Sequence, residues 1–232
     1  MDRISQWYPL FGEETFPTVF LKLNETECTQ FLQAGDTPAE RDLEKRIDRA
    51  IDLLPGSCVV GLDSCAPSDS TIWQKDRSIS SGAAALKLLR SSLLMRELIQ
   101  SGKDTTLIVR PYRRMDRTRE FRLFIKGGKL TAMSQRHLDR HFARLEEMKD
   151  TYWQRGCDFA DKILAPHMSE KDFVADIYFT SDGAILIVDF NLWGAPTSPL
   201  LFRTWERDWT QISGLKLMQP PMALGGDVKV SF

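Results

Sequence analysis

The sequence predicts an α+β protein with a helix-rich first lobe, residues 1–104, and a second lobe, residues 105–232, built on an antiparallel sheet. Up to about residue 102, apolar residues recur mostly at helical spacing. From residue 106 the apolar runs are short and are joined at Gly-Gly and Asp-Gly pairs, which is typical of hairpins. With 232 residues, 42% hydrophobic and 27% charged, the chain can bury a sizeable core.

Two helices are predicted in the first lobe. The sequence TPAE at residues 37–40 supplies an N-cap, a first-turn proline and a capping-box glutamate, and an apolar stripe continues to Pro55-Gly56. A second helix is expected over residues 84–100, before Ser101-Gly102. Between them, residues 58–63 read as a short strand that enters a loop of small residues.

The second lobe is predicted to contain mainly strands. Residues 106–112 read as one strand, residues 120–136 as a hairpin about Gly127-Gly128, and residues 172–191 as a hairpin about Asp182-Gly183. A helical stretch over residues 138–164, interrupted at Gly156, separates the two hairpins. A last strand is expected in the segment DVKVSF, residues 227–232.

Two carboxylates are predicted to face each other in the second hairpin. A two-residue turn at Asp182-Gly183 sets Tyr178 opposite Ile187 and Asp176 opposite Asp189, with Asn191 on the same face. Because paired carboxylates repel unless a cation lies between them, and oxygen ligands suit magnesium, these residues are candidate metal ligands. The alternative is a surface hairpin with two solvated acids, since a one-residue slip moves Asp176 to the other face.

An arginine-rich segment precedes the first hairpin. Six arginines lie between residues 110 and 122, and a two-residue turn would set Glu120 opposite Gln135 with Arg122 on the same face. A guanidinium matches phosphate geometry, so Arg122 is a candidate phosphate contact. An RNA-binding patch is disfavoured because few aromatic residues accompany the arginines.

Several other classes of function are disfavoured. The net charge is −1, no apolar stretch approaches the ~20 residues of a membrane-spanning helix, and the N-terminus does not resemble a secretory signal. Four cysteines without a CxxC pair indicate reduced thiols and an intracellular, cytoplasmic setting. His137 and His141 have zinc-compatible helical spacing but lack a third ligand, so a polar helix face is the favoured interpretation.

The sequence resembles the cell division cycle protein 123 family. The resemblance covers nearly the whole chain, in the order of the family's motifs. It rests on WYPLF (7–11), LDSCAPSDSTIW (62–73), LIVRPY (107–112), EFRLFIKGGKLTAMSQR (120–136), DFVADIYFTSDGAILIVDFNLWG (172–194) and LLFRTW (200–205).

This resemblance implies an ATP-grasp architecture, in which two lobes clamp ATP and magnesium. It assigns magnesium to Asp176, Asp189 and Asn191, and it makes residues 107–110 a hinge along the adenine. The nucleotide-binding residues that it implies are Ser64, Ala66, Val109, Arg110, Glu120, Arg122 and Arg136.

Eukaryotic members of the family are assembly chaperones of translation initiation factor 2, so its γ subunit is the expected partner. Two alternative functions remain. One is an ATP-grasp carboxylate-amine ligase that acts through an acylphosphate, and the other is a scaffold that binds no nucleotide. Two departures bear on the choice. Gly61 stands where the family usually has a lysine, so a phosphate contact is lost unless Lys75 or Arg90 replaces it, and the family's acidic C-terminal tail is not recognised.

Overall fold

The computed structural model describes residues 3–33 and 35–221, and the chain divides into two compact units. The first unit is Arg3–Arg114 and the second begins at Met115. The boundary between the units therefore comes after the strand at residues 106–111. The boundary predicted from the sequence lies before this strand, between residues 104 and 105. The strand predicted at residues 227–232 lies outside the described residues.

The first unit combines six helices and three strands in the part of the chain that the structure describes. These are α1 Ile4–Phe11, β1 Val19–Lys22, α2 Glu25–Gln33, α3 Pro38–Asp52, β2 Cys58–Leu62, α4 Thr71–Lys75, α5 Gly82–Arg90, α6 Leu93–Gln100 and β3 Thr106–Pro111. The strands form an antiparallel sheet in the order β1-β3-β2. Its core packs apolar residues of α3, α5 and α6 against this sheet.

The helix expected over residues 84–100 is two helices. The chain breaks at Ser91-Ser92, where the Ser92 hydroxyl accepts a hydrogen bond from the Met95 amide and so caps α6. Serine favours such caps over helix interiors, because its side chain competes for backbone hydrogen bonds. Strand β3, which we expected in the second lobe, is the central strand of the first sheet.

The second unit contains a five-stranded sheet in the order β7-β6-β4-β5-β8, antiparallel except for the β5–β8 pair. Its elements are β4 Glu120–Lys126, β5 Lys129–Gln135, α7 Ala143–Phe159, α8 Ala165–His167, β6 Phe173–Phe179, β7 Ile185–Leu192 and β8 Gly214–Lys216. The α+β class and the antiparallel sheet of the second half of the chain are confirmed.

Helix α7 differs from the sequence prediction at its start and at Gly156, whereas helical structure continues through residue 164 as predicted. It begins at Ala143 rather than near residue 138, and it passes through Gly156 without a break. A Cβ at Gly156 would lie 3.2 Å from the Met133 sulfur and 3.3 Å from Leu130, so glycine allows close packing on β5. The irregular turn comes later, as a π-helical segment at Ala160–Leu164.

The β4–β5 hairpin has an extra residue, Thr131, on its second strand. This bulge moves the register by one position, so Phe121 rather than Glu120 lies opposite Gln135. The carbonyl of Glu120 accepts a hydrogen bond from the Arg136 amide instead. The predicted Glu120–Gln135 pair is therefore wrong, because a bulge shifts every later pairing.

The β6–β7 hairpin reaches the predicted Asp176–Asp189 pair by two compensating departures. Its loop has three residues rather than two, because the Thr180 amide donates to the Ala184 carbonyl and Tyr178 pairs with Leu186 instead of Ile187. A bulge beyond Ile187 then shifts the register back, and Asp176 lies opposite Asp189.

The two faces of this sheet are covered differently. On one face, Phe121 and Phe179 pack against Tyr152 of α7, with ring centroids 4.7–5.5 Å apart. On the other face, Phe124 packs against aromatic residues from the segment after β7. Together these residues form what we call the aromatic cluster, which consists of Phe124, Trp193, Phe202, Trp205 and Trp209.

Candidate functional site

A row of polar side chains crosses all five strands of the second sheet. Each residue of the row is paired with the next one across the sheet. From β8 to β7 the order is Lys216, Ser134, Arg122, Asp176 and Asp189. Directly paired residues project from the same face of a sheet, so the row forms one continuous polar line beside the aromatic cluster.

Arg122 and Asp176 form a buried, two-pronged ion pair at the centre of the row. The Arg122 Nε and Nη2 atoms lie 2.7 Å from the two carboxylate oxygens of Asp176. The side chains are only 5% and 11% exposed. The third nitrogen, Nη1, donates to the Ser198 carbonyl at 2.8 Å. Sequence reasoning missed this pair, although it follows from the register once β4 is known to pair with β6.

Two further side chains approach the same carboxylate. Arg136 Nε lies 3.6 Å from Asp176 Oδ2, and Asn191 Nδ2 lies 3.4 Å from the same oxygen. The Arg136 side chain is 42% exposed, so it retains access to solvent. Of the two arginines predicted at the nucleotide in this sheet, Arg136 is thus the accessible one, whereas Arg122 is occupied by Asp176 and Ser198.

The oxygen donors Asp176, Asp189 and Asn191 lie on one face, as the sequence predicted. A carboxylate offers about four lone-pair directions, so Asp176 can accept from Arg122 and still face a cation. Within residues 3–33 and 35–221, no group of three or more His, Cys, Asp or Glu side chains could hold a metal ion. Two carboxylates and an amide fit magnesium, which usually takes its other oxygens from water and phosphate.

Glu120 and the two histidines lie at the end of β5. Oε1 of Glu120 is 3.0 Å from His137 Nε2, and the His141 Nδ1 atom is 2.7 Å from the Met218 carbonyl. Both histidines precede α7, so their predicted one-turn helical spacing does not occur. The Glu120 carboxylate therefore lies beside His137, rather than opposite the predicted neighbour Gln135.

In the first unit, Ser64 and Ala66 lie in a tight loop after β2. The amide and hydroxyl of Ser64 donate to Asp104 Oδ2 at 2.8 and 2.7 Å, so its polar groups serve the loop itself. The loop folds back over Gly61, where a Cβ would stand 2.9 Å from the Cys65 carbonyl oxygen. Glycine at residue 61 is thus enforced by close backbone approach.

Val109 and Arg110, which the resemblance places at a hinge, lie in the central strand β3. Val109 pairs with Val19 on one side and with Val60 on the other, which leaves no free strand edge there for an adenine ring. Arg110 is 8% exposed, and its Nη2 atom donates to the Thr15 hydroxyl at 2.7 Å. The structure therefore places residues 107–110 inside the sheet.

Of the two candidate replacements for the family lysine, Arg90 is committed to the fold. It donates to Glu40 at 2.6 Å and to the carbonyls of Phe31 and Gln30 at 2.9 and 3.2 Å. The hydrogen bond from Arg90 lowers the pKa of Glu40 to about 2. Lys75, the last residue of α4, is exposed and stays a candidate.

The fold is of the same class as that of the Cdc123 protein of Schizosaccharomyces pombe. The two structures share 25% sequence identity and a TM-score of 0.74, over 94% of this chain and 92% of that one. The D123 family model matches residues 33–213. The chain belongs to the D123 family, which confirms the resemblance found in the sequence.

Two relatives that align with most of this chain share a name. The "Translation initiation factor eIF2 assembly protein" of Danio rerio is 26% identical, over 88% of this chain and 73% of that protein. Its namesake in Xenopus tropicalis is 31% identical, over 89% and 78%. The alignments with three other relatives cover 30%, 46% and 57% of the length of those proteins.

No helix in the described ranges is both long and apolar enough to cross a membrane.

Proposed function

We propose that this chain is an ATP- and magnesium-binding factor that assists the assembly of translation initiation factor 2 in the cytoplasm, by binding its γ subunit. The observation that carries the assembly role is family membership: the D123 model matches residues 33–213, and relatives aligned over most of the chain are named eIF2 assembly proteins.

The nucleotide part of the proposal rests on the row of polar residues in the second sheet and on the ATP-grasp architecture that the resemblance implies. Asp176, Asp189 and Asn191 would hold magnesium, which neutralises phosphate charge when bound. Arg136 would contact phosphate from its exposed position beside Asp176. Arg122 would act as a positioning residue, because its two hydrogen bonds fix the Asp176 carboxylate.

The test is capture of purified γ subunit by the immobilised chain, with ATP and magnesium, and a parallel calorimetric titration of ATP. We expect Asp189→Ala to weaken magnesium-dependent ATP binding at least tenfold, since it leaves one carboxylate on that face. Asp150→Ala, which removes an exposed acid of α7, is the matched control. Equal ATP affinity in excess chelator would refute the metal assignment, and failure to capture the γ subunit would refute the assembly role.

A further inference from the structure

Two cationic side chains lie over one aromatic ring at the end of the aromatic cluster, and a third cation follows that ring in the chain. The guanidinium carbon of Arg207 lies 4.8 Å from the centre of the Phe202 ring, and Lys216 Nζ lies 4.6 Å from it. Arg203 follows Phe202 directly in the sequence. Arg207 also lies 5.0 Å from the Trp209 ring, and its Nη2 donates to the Ser213 hydroxyl at 2.6 Å. These contacts hold the guanidinium in place.

The backbone is strained on both sides of Phe202. Leu200 and Arg203 have φ angles of 50° and 68°, and they are the two non-glycine residues with positive φ in the described part of the chain. Such conformations are unfavourable for residues with a side chain and concentrate at ligand-binding positions. The strain holds Arg203 on a turn closed by the Arg203 amide, which donates to the Leu200 carbonyl at 3.0 Å.

No carboxylate within residues 3–33 and 35–221 forms a salt bridge with any of these three cations. The nearest acids in sequence are Glu206, which is exposed, and Asp208. Asp208 accepts hydrogen bonds from the amide and hydroxyl of Thr210, and these bonds, with a smaller contribution from Arg207, lower its pKa. Burial, followed by repulsion from Arg207 and Arg203, lowers the pKa of Lys216. Like charges held together with no carboxylate in salt-bridge contact favour binding of an anion.

We propose that Arg203, Arg207 and Lys216 form a binding site for a small oxyanion of the phosphate type, either inorganic phosphate or the phosphate group of a small ester. A compact, multiply charged oxyanion suits two cations held over one ring with a third near enough to repel Lys216. The site lies on the sheet face that carries the polar row, because Lys216 is paired with Ser134 and Ser134 with Arg122.

The test is a titration of the isotopically labelled chain with inorganic phosphate and, separately, glycerol phosphate, followed by NMR shifts of the backbone amides. All samples contain chelator, no nucleotide and constant ionic strength, so the outcome does not depend on ATP or magnesium binding. We expect saturable shifts concentrated in residues 200–216. Equal affinity for both probes assigns a phosphate ester as ligand, and binding of inorganic phosphate alone assigns the free ion; both support the site.

The discriminating variant is Lys216→Gln, which keeps an aliphatic stem over Phe202. Because one charged hydrogen bond to the anion is lost, the dissociation constant for phosphate should rise about ten- to a hundredfold. Arg203→Gln should act in the same direction. Lys129→Gln, an exposed lysine of the same sheet, is the matched control. Unchanged affinity in both Lys216→Gln and Arg203→Gln, or shifts centred away from residues 200–216, would overturn the proposal.

Discussion

Replacing Arg122 with methionine should destabilise the second unit by leaving the Asp176 carboxylate without its main partner. Two hydrogen bonds of 2.7 Å are lost, and Asp176 is only 8% exposed, so solvent cannot replace them. Removing one member of a buried ion pair typically costs about 3–5 kcal/mol. Because Arg136 remains 3.6 Å from Asp176, we expect the lower part of that range, about 3 kcal/mol.

The assay is urea unfolding at neutral pH of the wild type, Arg122→Met, Asp176→Asn and the double variant. If the two side chains interact as the structure shows, the double variant should lose at least 1–2 kcal/mol less than the sum of the single losses. Additive losses within about 0.5 kcal/mol would refute the reasoning, since non-interacting residues behave in that way. Lys129→Met is a control for placing methionine on the same sheet at an exposed position.

Two other predictions concern the first unit. Gly61→Ala and Gly61→Lys should each cost about 1–3 kcal/mol in unfolding free energy, because the Cβ itself meets the Cys65 carbonyl; a neutral Gly61→Ala in thermal unfolding would contradict this. Glu40 has a pKa of about 2 in the folded chain against an ordinary 4.5, so its ionised form contributes on the order of 3 kcal/mol above pH 4.5, lost as the pH falls from 4.5 to 2. Urea unfolding at pH 6 and pH 2.5 should show a larger loss for the wild type than for Glu40→Gln, and equal losses would count against the Arg90 pair.

Helix α3 shows what local sequence can predict. The Thr37 hydroxyl accepts from the Glu40 amide, as the capping pattern indicated, and the helix ends at Asp52, just before the Pro55-Gly56 stop. The local sequence did not predict the partners of the Glu40 side chain. This carboxylate accepts hydrogen bonds from the Gly35 amide and from Arg90, which is 50 residues away in the chain.

The candidate site shows where sequence reasoning stops. Gly127-Gly128 and Asp182-Gly183 located both hairpins correctly, but the bulges in β5 and beyond Ile187 are set by packing of the whole sheet. The bulge in β5 shifts the register, so that Glu120 no longer lies opposite Gln135. The bulge beyond Ile187 reverses the shift caused by the longer loop, so that Asp176 lies opposite Asp189. The order of strands was also unknown, so the sequence could not show that Arg122 lies between Ser134 and Asp176.

Arg122 also links the two candidate sites. Its guanidinium binds Asp176 through two nitrogens and the Ser198 carbonyl through the third, and the Ser198 hydroxyl accepts from the amide of Leu200, where the strained turn begins. The carboxylate proposed to hold magnesium is therefore connected to the turn that carries Arg203 by successive hydrogen bonds. In the Arg122→Met protein this connection is cut while Lys216 and Phe202 are retained. We expect phosphate affinity to fall together with stability, and unchanged affinity would show that the turn keeps its conformation without Arg122.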